Sequence, residues 1–415
     1  MLLAPMLPPL SGVATSQSTV VNNQVQLGDV FATQTLNVVD TSDLSSAVTS
    51  ATGNGLTASV DTGSLDVQST QTASPNLPAE PGNITAETHF NATGNIGAQS
   101  IVVTAATANT NESNSLGGGA LTGSLTQIAN GAAVTSDNDF NASTSHAGNL
   151  SISSQAIVNS ISVGITGGSA DLTANQSSSS DVLAKSGSDT SIGGATLKYT
   201  PGTATFTSIA VVNNVTSTGT GGATQTLDLT QSSTGDSTHG YQYVNVSNGQ
   251  TVQGETAVTG NNISISNESA ALNVVDNQMN TSFTQAESGV AANEYGSAQS
   301  TASGVGNSIL AANVGPHTQV SNTQNNGGEI DVTAGFTGGT GPGYDAAISA
   351  TAMANAATAF ACSDCGGVIN INNSQSNDNG VNAFATVDTV GANRSVSSVA
   401  TAVGNNASFY VSKPR

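Results

Sequence analysis

Basic side chains are nearly missing from this chain: five Lys and Arg stand against 26 Asp and Glu among 415 residues, a net charge of −21. Phosphate binding needs clustered cations, so nucleic acid is excluded as a natural partner, and an anionic membrane surface is disfavoured for the same reason. Lys185, Lys198 and Arg394 are scattered, and only Lys413 and Arg415 stand close together. Tryptophan is absent and aromatics make up 4% of the chain, too few to fill a thick globular core. Two cysteines cannot form a disulfide framework. No apolar run reaches the roughly 18 residues that a membrane-spanning helix requires. Charged residues are 7% of the chain, against about 25% in ordinary domains.

What remains is Ala, Val, Gly, Ser, Thr, Asn, Gln and Asp in short alternating runs. Disordered chains combine low hydrophobicity with many charges and few β-branched residues. Here Val, Ile and Thr recur at every second position, as in VVNNQVQL from Val20 and GGVININN from Gly366. That is strand patterning, and it favours an ordered protein. Because many inward candidates are Ala, Thr or Ser, facing strands must approach closely. The fold expected is all-β: an elongated, repetitive β-solenoid or β-helix-like stack with a small-residue core.

Repeats support this reading. An alternating strand, Gly-Asn, then a second alternating strand occurs at Gly53-Asn54, Gly94-Asn95, Gly148-Asn149, Gly260-Asn261, Gly306-Asn307 and Gly404-Asn405. Gly-Asn tolerates positive φ, so each is expected to turn the chain between strands. Alternation puts Leu56, Ala58 and Val60 on one face, and likewise Ile263 and Ile265. LNVVD recurs at Leu36 and Leu272, and LDVQSTQT from Leu65 echoes LDLTQSST from Leu227, which reads as imperfect duplication. Polar strands such as Ser321–Asn326 (SNTQNN) are expected to align between coils as hydrogen-bonded ladders. Coils of about 20 residues would give some 20 coils and a rod roughly 90–100 Å long at about 4.8 Å per coil. Thr72–Asn83, Asn175–Asp189 and Gly338–Gly343 read as surface loops. Residues 1–18 read as a leader, 19–412 as one repetitive body and 413–415 as a tail. The opening MLLAPMLPPLSGVA resembles the apolar and cleavage parts of a signal peptide lacking its basic front. An exported protein with its true start upstream is the expectation.

Candidate chemistry is sparse. Asp61-Thr62-Gly63-Ser64 matches an aspartic-protease tetrad, but that chemistry needs two carboxylates about 3 Å apart and no second tetrad exists. A turn is expected there. Cys362 and Cys365 have redox-like spacing but precede a strand, so a local disulfide closing a tight turn is the preferred reading. Free thiols, or a metal or redox role, are the alternatives. His89, His146, His239 and His317 are scattered without metal or triad context. No catalytic, metal or cofactor site is expected, and no enzyme.

The Ala-Thr-rich strands ending in Gly-Asn, the Asn/Gln interleaving and the apolar leader resemble the holdfast anchor proteins of stalked alphaproteobacteria, in particular the large HfaD-like surface proteins. The resemblance implies an extracellular structural protein on the outer face of the outer membrane, at the pole or stalk tip. There it would anchor an adhesive holdfast polysaccharide rich in N-acetylglucosamine, with a small curlin-like anchor protein and an outer-membrane, curli-channel-like lipoprotein as partners. Homo- or hetero-oligomers are expected, assembled through strand edges. If the polysaccharide is partly deacetylated, its ammonium groups would meet the acidic chain through many weak contacts. The alternative is a general secreted adhesin or a surface-layer or autotransporter-like β-helix protein.

Overall fold

The computed structural model describes residues 17–74, 82–187, 197–268, 270–362 and 367–412. The period-2 alternation becomes eight stacked coils. Coil 1 is β1 (Gln17–Gln26), β2 (Val30–Val38) and β3 (Leu44–Val60). Coil 2 is β4 (Ser64–Ala73), β5 (Ile84–Ala92) and β6 (Gln99–Ser115). Coil 3 is β7 (Ala120–Ala129), β8 (Val134–His146) and β9 (Asn149–Thr166), and coil 4 is β10 (Ser169–Ser178), β11 (Val182–Gly187) and β12 (Leu197–Thr220). In the next two coils the second and third strands fuse. Coil 5 is β13 (Thr224–Ser233) and β14 (Ser237–Asn267); coil 6 is β15 (Ala271–Asn280) and β16 (Phe283–Asn313). Coil 7 is β17 (His317–Asn326), β18 (Ile330–Gly338) and β19 (Gly343–Cys362). Coil 8 is β20 (Val368–Asn377), β21 (Val381–Thr389) and β22 (Ser395–Ser412).

Every strand pairs in parallel with its counterpart one coil away. The eight first strands form one sheet, and the second and third strands form another, joined through β14 and β16. The first strands pack on the distal half of the third strands, around Leu65, Leu125, Leu172, Ile161 and Ile263. The second strands pack on the proximal half, around Phe90, Phe140, Phe206 and Ile152. Both cores are thin because Ala is common among the buried residues, so the expected solenoid with a small-residue core is what forms. Leu56 and Val60 lie against the first of these cores, and Ala58, Ile263 and Ile265 are buried in it.

At the boundary between the two cores, each third strand carries one ladder Asn, buried in coils 1 to 7 and exposed in coil 8. The column runs Asn54, Asn109, Asn159, Asn213, Asn261, Asn307, Asn355 and Asn405, each amide donating to the next at 2.7–2.8 Å. In coils 1 to 7 the other N–H donates to a backbone carbonyl on the first strand of the following coil, for example Asn213 to Ser232 O at 3.0 Å. A parallel column of Gln runs through the first strands: Gln24, Gln71, Gln127, Gln176, Gln231, Gln278, Gln324 and Gln375. Here each amide donates backwards to its predecessor at 2.7–2.9 Å. Its second N–H reaches the third strand of its own coil, as Gln231 does to Asn262 O at 3.0 Å. The carbonyl on one side accepts only from NH2, which fixes the orientation of every amide. The two columns therefore lace the layers together, with every interior donor and acceptor satisfied. Ladders of the kind expected from SNTQNN are present, with Gln324 and Asn326 taking part.

Three expectations are corrected. Successive Gln of the column are 46–56 residues apart, so a coil is more than twice the length expected and there are eight. At about 4.8 Å per strand, seven steps span roughly 34 Å, far less than the rod expected. Second, Asn54, Asn261, Asn307 and Asn405 lie inside strands. In the interior coils the ladder Asn follows another buried residue, as in Val212-Asn213, so the strand bends by breaking its alternation, and none of these Gly-Asn glycines has positive φ. Gly94-Asn95 and Gly148-Asn149 sit elsewhere, at the entry to the third strand. The turns into the first strands are made by other glycines. Gly118 has φ +79°, and a Cβ on Gly119 would fall 1.6 Å from the Gly63 carbonyl oxygen. Third, Asn175–Asp189 is not one loop: it begins in β10 and includes β11, and Asp189 lies outside the described residues. Pro75, Pro78 and Pro81 also lie outside them, while Gly339–Pro342 is a loop.

Candidate functional site

The register of the stack brings residues some 50 positions apart into one groove. It runs along the turn from second to third strands, across coils 4 to 8, and encloses about 690 Å³. Tyr199 in β12 pairs with Asn248 in β14, Asn248 with Glu294 in β16, and Tyr295 with Gly343 in β19. Tyr344, Asp345 and Arg394 close its far end. A second hollow, sharing Tyr199 and Pro201 and lined by Ser42, Asn95 and His146, extends the same edge back to coil 1.

The walls are held in place. Tyr295 is buried, packs its ring edge-on against Phe336 at 5.1 Å and donates its hydroxyl to Asn393 Oδ1; burial pushes its phenol above the usual range. Arg394 grips Asp345 with two hydrogen bonds, one from Nε at 3.0 Å, and lies 5.7 Å over the Tyr344 ring. Hydrogen bonds from Arg394 and Ser395 hold the Asp345 carboxyl below the ordinary carboxylate range. With that pair neutralised, Glu294 is the remaining charge on the groove. Tyr199 and Tyr344 keep 44% and 57% of their surface exposed; Arg394 covers one face of Tyr344, which leaves the opposite face for a ligand, and His146 meets the Tyr199 ring at a steep angle.

The ends of the stack form a second candidate surface. Among the described residues, Gln24 Nε2 has a carbonyl partner, Gly55 O, but no preceding Gln, and Asn54 Oδ1 accepts from nothing. At the other end Gln375 Oε1 and Asn405 Nδ2 have no partner among the described residues. Because the two columns run with opposite polarity, one end presents a Gln donor and an Asn acceptor. The other presents a Gln acceptor and an Asn donor. The ends are complementary.

The sequence candidates fall elsewhere. Asp61–Gly63 forms the turn between β3 and β4, with Gly63 at φ +94°, and Ser64 opens β4, so the turn expected at this tetrad is present. Cys362 is buried at the end of β19, and Cys365 lies outside the described residues. His89 stands 3.7 Å from Asp139 and 3.9 Å from Glu87 on the outer face of the second strands. On the same face Lys185 pairs with Asp137 at 3.4 Å. His239 packs against Tyr241, and burial lowers its pKa. His146 packs on Tyr199 at 5.9 Å, and His317 opens β17. Among the described residues, no group of three or more His, Cys, Asp or Glu is arranged to hold a metal ion. Neither the groove nor the Gln column was identified from sequence.

No curated protein and no solved structure matches the chain. A family model does, that of holdfast attachment protein D, over residues 79–329. The matched stretch runs from shortly ahead of β5 to the edge of β18 and so contains most of both amide columns. The chain belongs to the holdfast attachment protein D family.

Proposed function

We propose that this protein is a non-enzymatic anchor that works as a rigid link on the cell surface, holding an adhesive polysaccharide to the envelope. The observation that carries this reading is the pair of amide columns, which lace the eight coils into one stiff body and end in complementary, unpaired groups. Buried amide ladders resist deformation because every bond broken strands a desolvated partner. That property suits a tether under load. The open ends suit lengthwise assembly, either with further copies or with a small curlin-like partner that adds strands in register. Export through a curli-channel-like lipoprotein to the outer face of the outer membrane, at the pole or stalk tip, completes the reading.

The test is retention under shear. Cells with and without the gene are stained with a lectin for N-acetylglucosamine, washed in flow, and the adhesive is counted on cells and in the medium. Loss of the protein is expected to shift adhesive into the medium. Equal retention by the deletion strain would sink the proposal.

A further inference from the structure

We propose that the groove of coils 4 to 8 binds a linear polysaccharide lengthwise, with pyranose rings stacked on Tyr199 and Tyr344. This rests on the attachment reading and gives it a site. Three observations lead there. First, the groove runs along the stacking axis, so its backbone wall repeats at about 4.8 Å per coil and can follow a linear polymer, while the side chain at one register position changes from Tyr199 to Asn248 to Glu294. Second, the two exposed tyrosines sit three coils apart, about 14 Å along the axis and two register positions offset, as platforms for the apolar faces of sugar rings, Tyr344 through the face that Arg394 leaves uncovered. Third, Asn248, Gln250, Thr251 and Glu294 lie along the groove, supplying the amide, hydroxyl and carboxylate partners that ring hydroxyls need. A concave site of a few hundred Å³ with aromatic walls and a few placed polar groups is the usual form of a ligand site.

Other ligand classes fit less well. The groove's arginine, Arg394, is committed to Asp345, so phosphates and other anions find no free cation among the residues that line it. An extended peptide would need an open strand edge, whereas these strands are paired on both sides within the stack. The walls are already rigid, through Tyr295 on Phe336 and Asn393 and through Arg394 on Tyr344 and Asp345. A preorganised wall lowers the ordering cost of binding.

The experiment uses the full chain and hexamers of glucose, N-acetylglucosamine and glucosamine, with the matching dimers, measured by titration calorimetry. At least one hexamer is expected to bind, and to bind at least about tenfold tighter than its dimer, because only the longer chain spans both platforms. Tyr199→Ala and Tyr344→Ala should each weaken binding about tenfold or more, with the urea midpoint of unfolding as the check on folding. Hexamer binding that both variants leave unchanged, or no binding by the intact protein, overturns the inference. The double variant is also placed in cells. If it retains adhesive while the deletion strain sheds it, the groove assignment falls and the attachment reading stands; if both shed it, the groove assignment is supported.

Discussion

Replacing Asn213 by Ala removes one rung from the middle of the Asn column. Three hydrogen bonds go: those donated to Asn261 Oδ1 at 2.8 Å and to Ser232 O at 3.0 Å, and the one accepted from Asn159 at 2.8 Å. Each is worth about 1 kcal/mol net, and each leaves a buried partner unsatisfied at a further cost, so the expected loss is about 3–5 kcal/mol. Asn405 at the end of the same column is exposed and only accepts one bond, from Asn355 at 2.7 Å. Its replacement by Ala should cost about 0.5–1 kcal/mol. Urea unfolding followed by circular dichroism gives both values if the slope is unchanged. An Asn213→Ala loss as small as that of Asn405→Ala would show that the ladder contributes little and that apolar packing alone holds the coils.

Asp276 is buried in register between Leu229 and Asn322, with both carboxyl oxygens unpartnered, and desolvation raises its pKa well above the ordinary value. The native state therefore holds this proton more tightly than the unfolded chain, so stability should fall as pH rises from about 4 through the folded pKa. Asp276→Asn should flatten that slope and raise stability at neutral pH; identical pH profiles for variant and parent would contradict this. Phe140 stacks on Phe90 at 5.0 Å and meets Phe206 edge-on at 5.9 Å, so Phe140→Ala should cost about 3–5 kcal/mol in the same urea assay. Gln375→Lys removes an end acceptor and adds a charge, and should abolish any concentration-dependent assembly seen by sedimentation; assembly as strong as the parent's would rule out end-to-end stacking.

Alternation was legible because burial on one sheet face selects residues two apart whatever the coil size. The coil size was not. Connections of unequal length between strands vary the period from 46 to 56 residues, so a true column drifts in sequence while chance matches stay sharp. LNVVD is such a match: Leu36 lies in a second strand and Leu272 in a first strand. LDVQ from Leu65 and LDLT from Leu227 both lie in first strands but two positions out of register, since the pairing carries Leu65 through Leu121 and Ala170 to Gln225. The usable signal was a Gln preceded by Thr, Ser or Asn, as in Thr70-Gln71, Thr230-Gln231 and Thr323-Gln324, with a bend Asn about 30–38 residues on, Asn109, Asn261 and Asn355 respectively. Single Gly-Asn pairs misled because Asn serves two purposes here: it tolerates turns, and its side chain is a buried rung. Only the register separates the two. The groove was illegible for the same reason, since Tyr199, Glu294 and Tyr344 share no motif and meet only after each coil has closed at its own length.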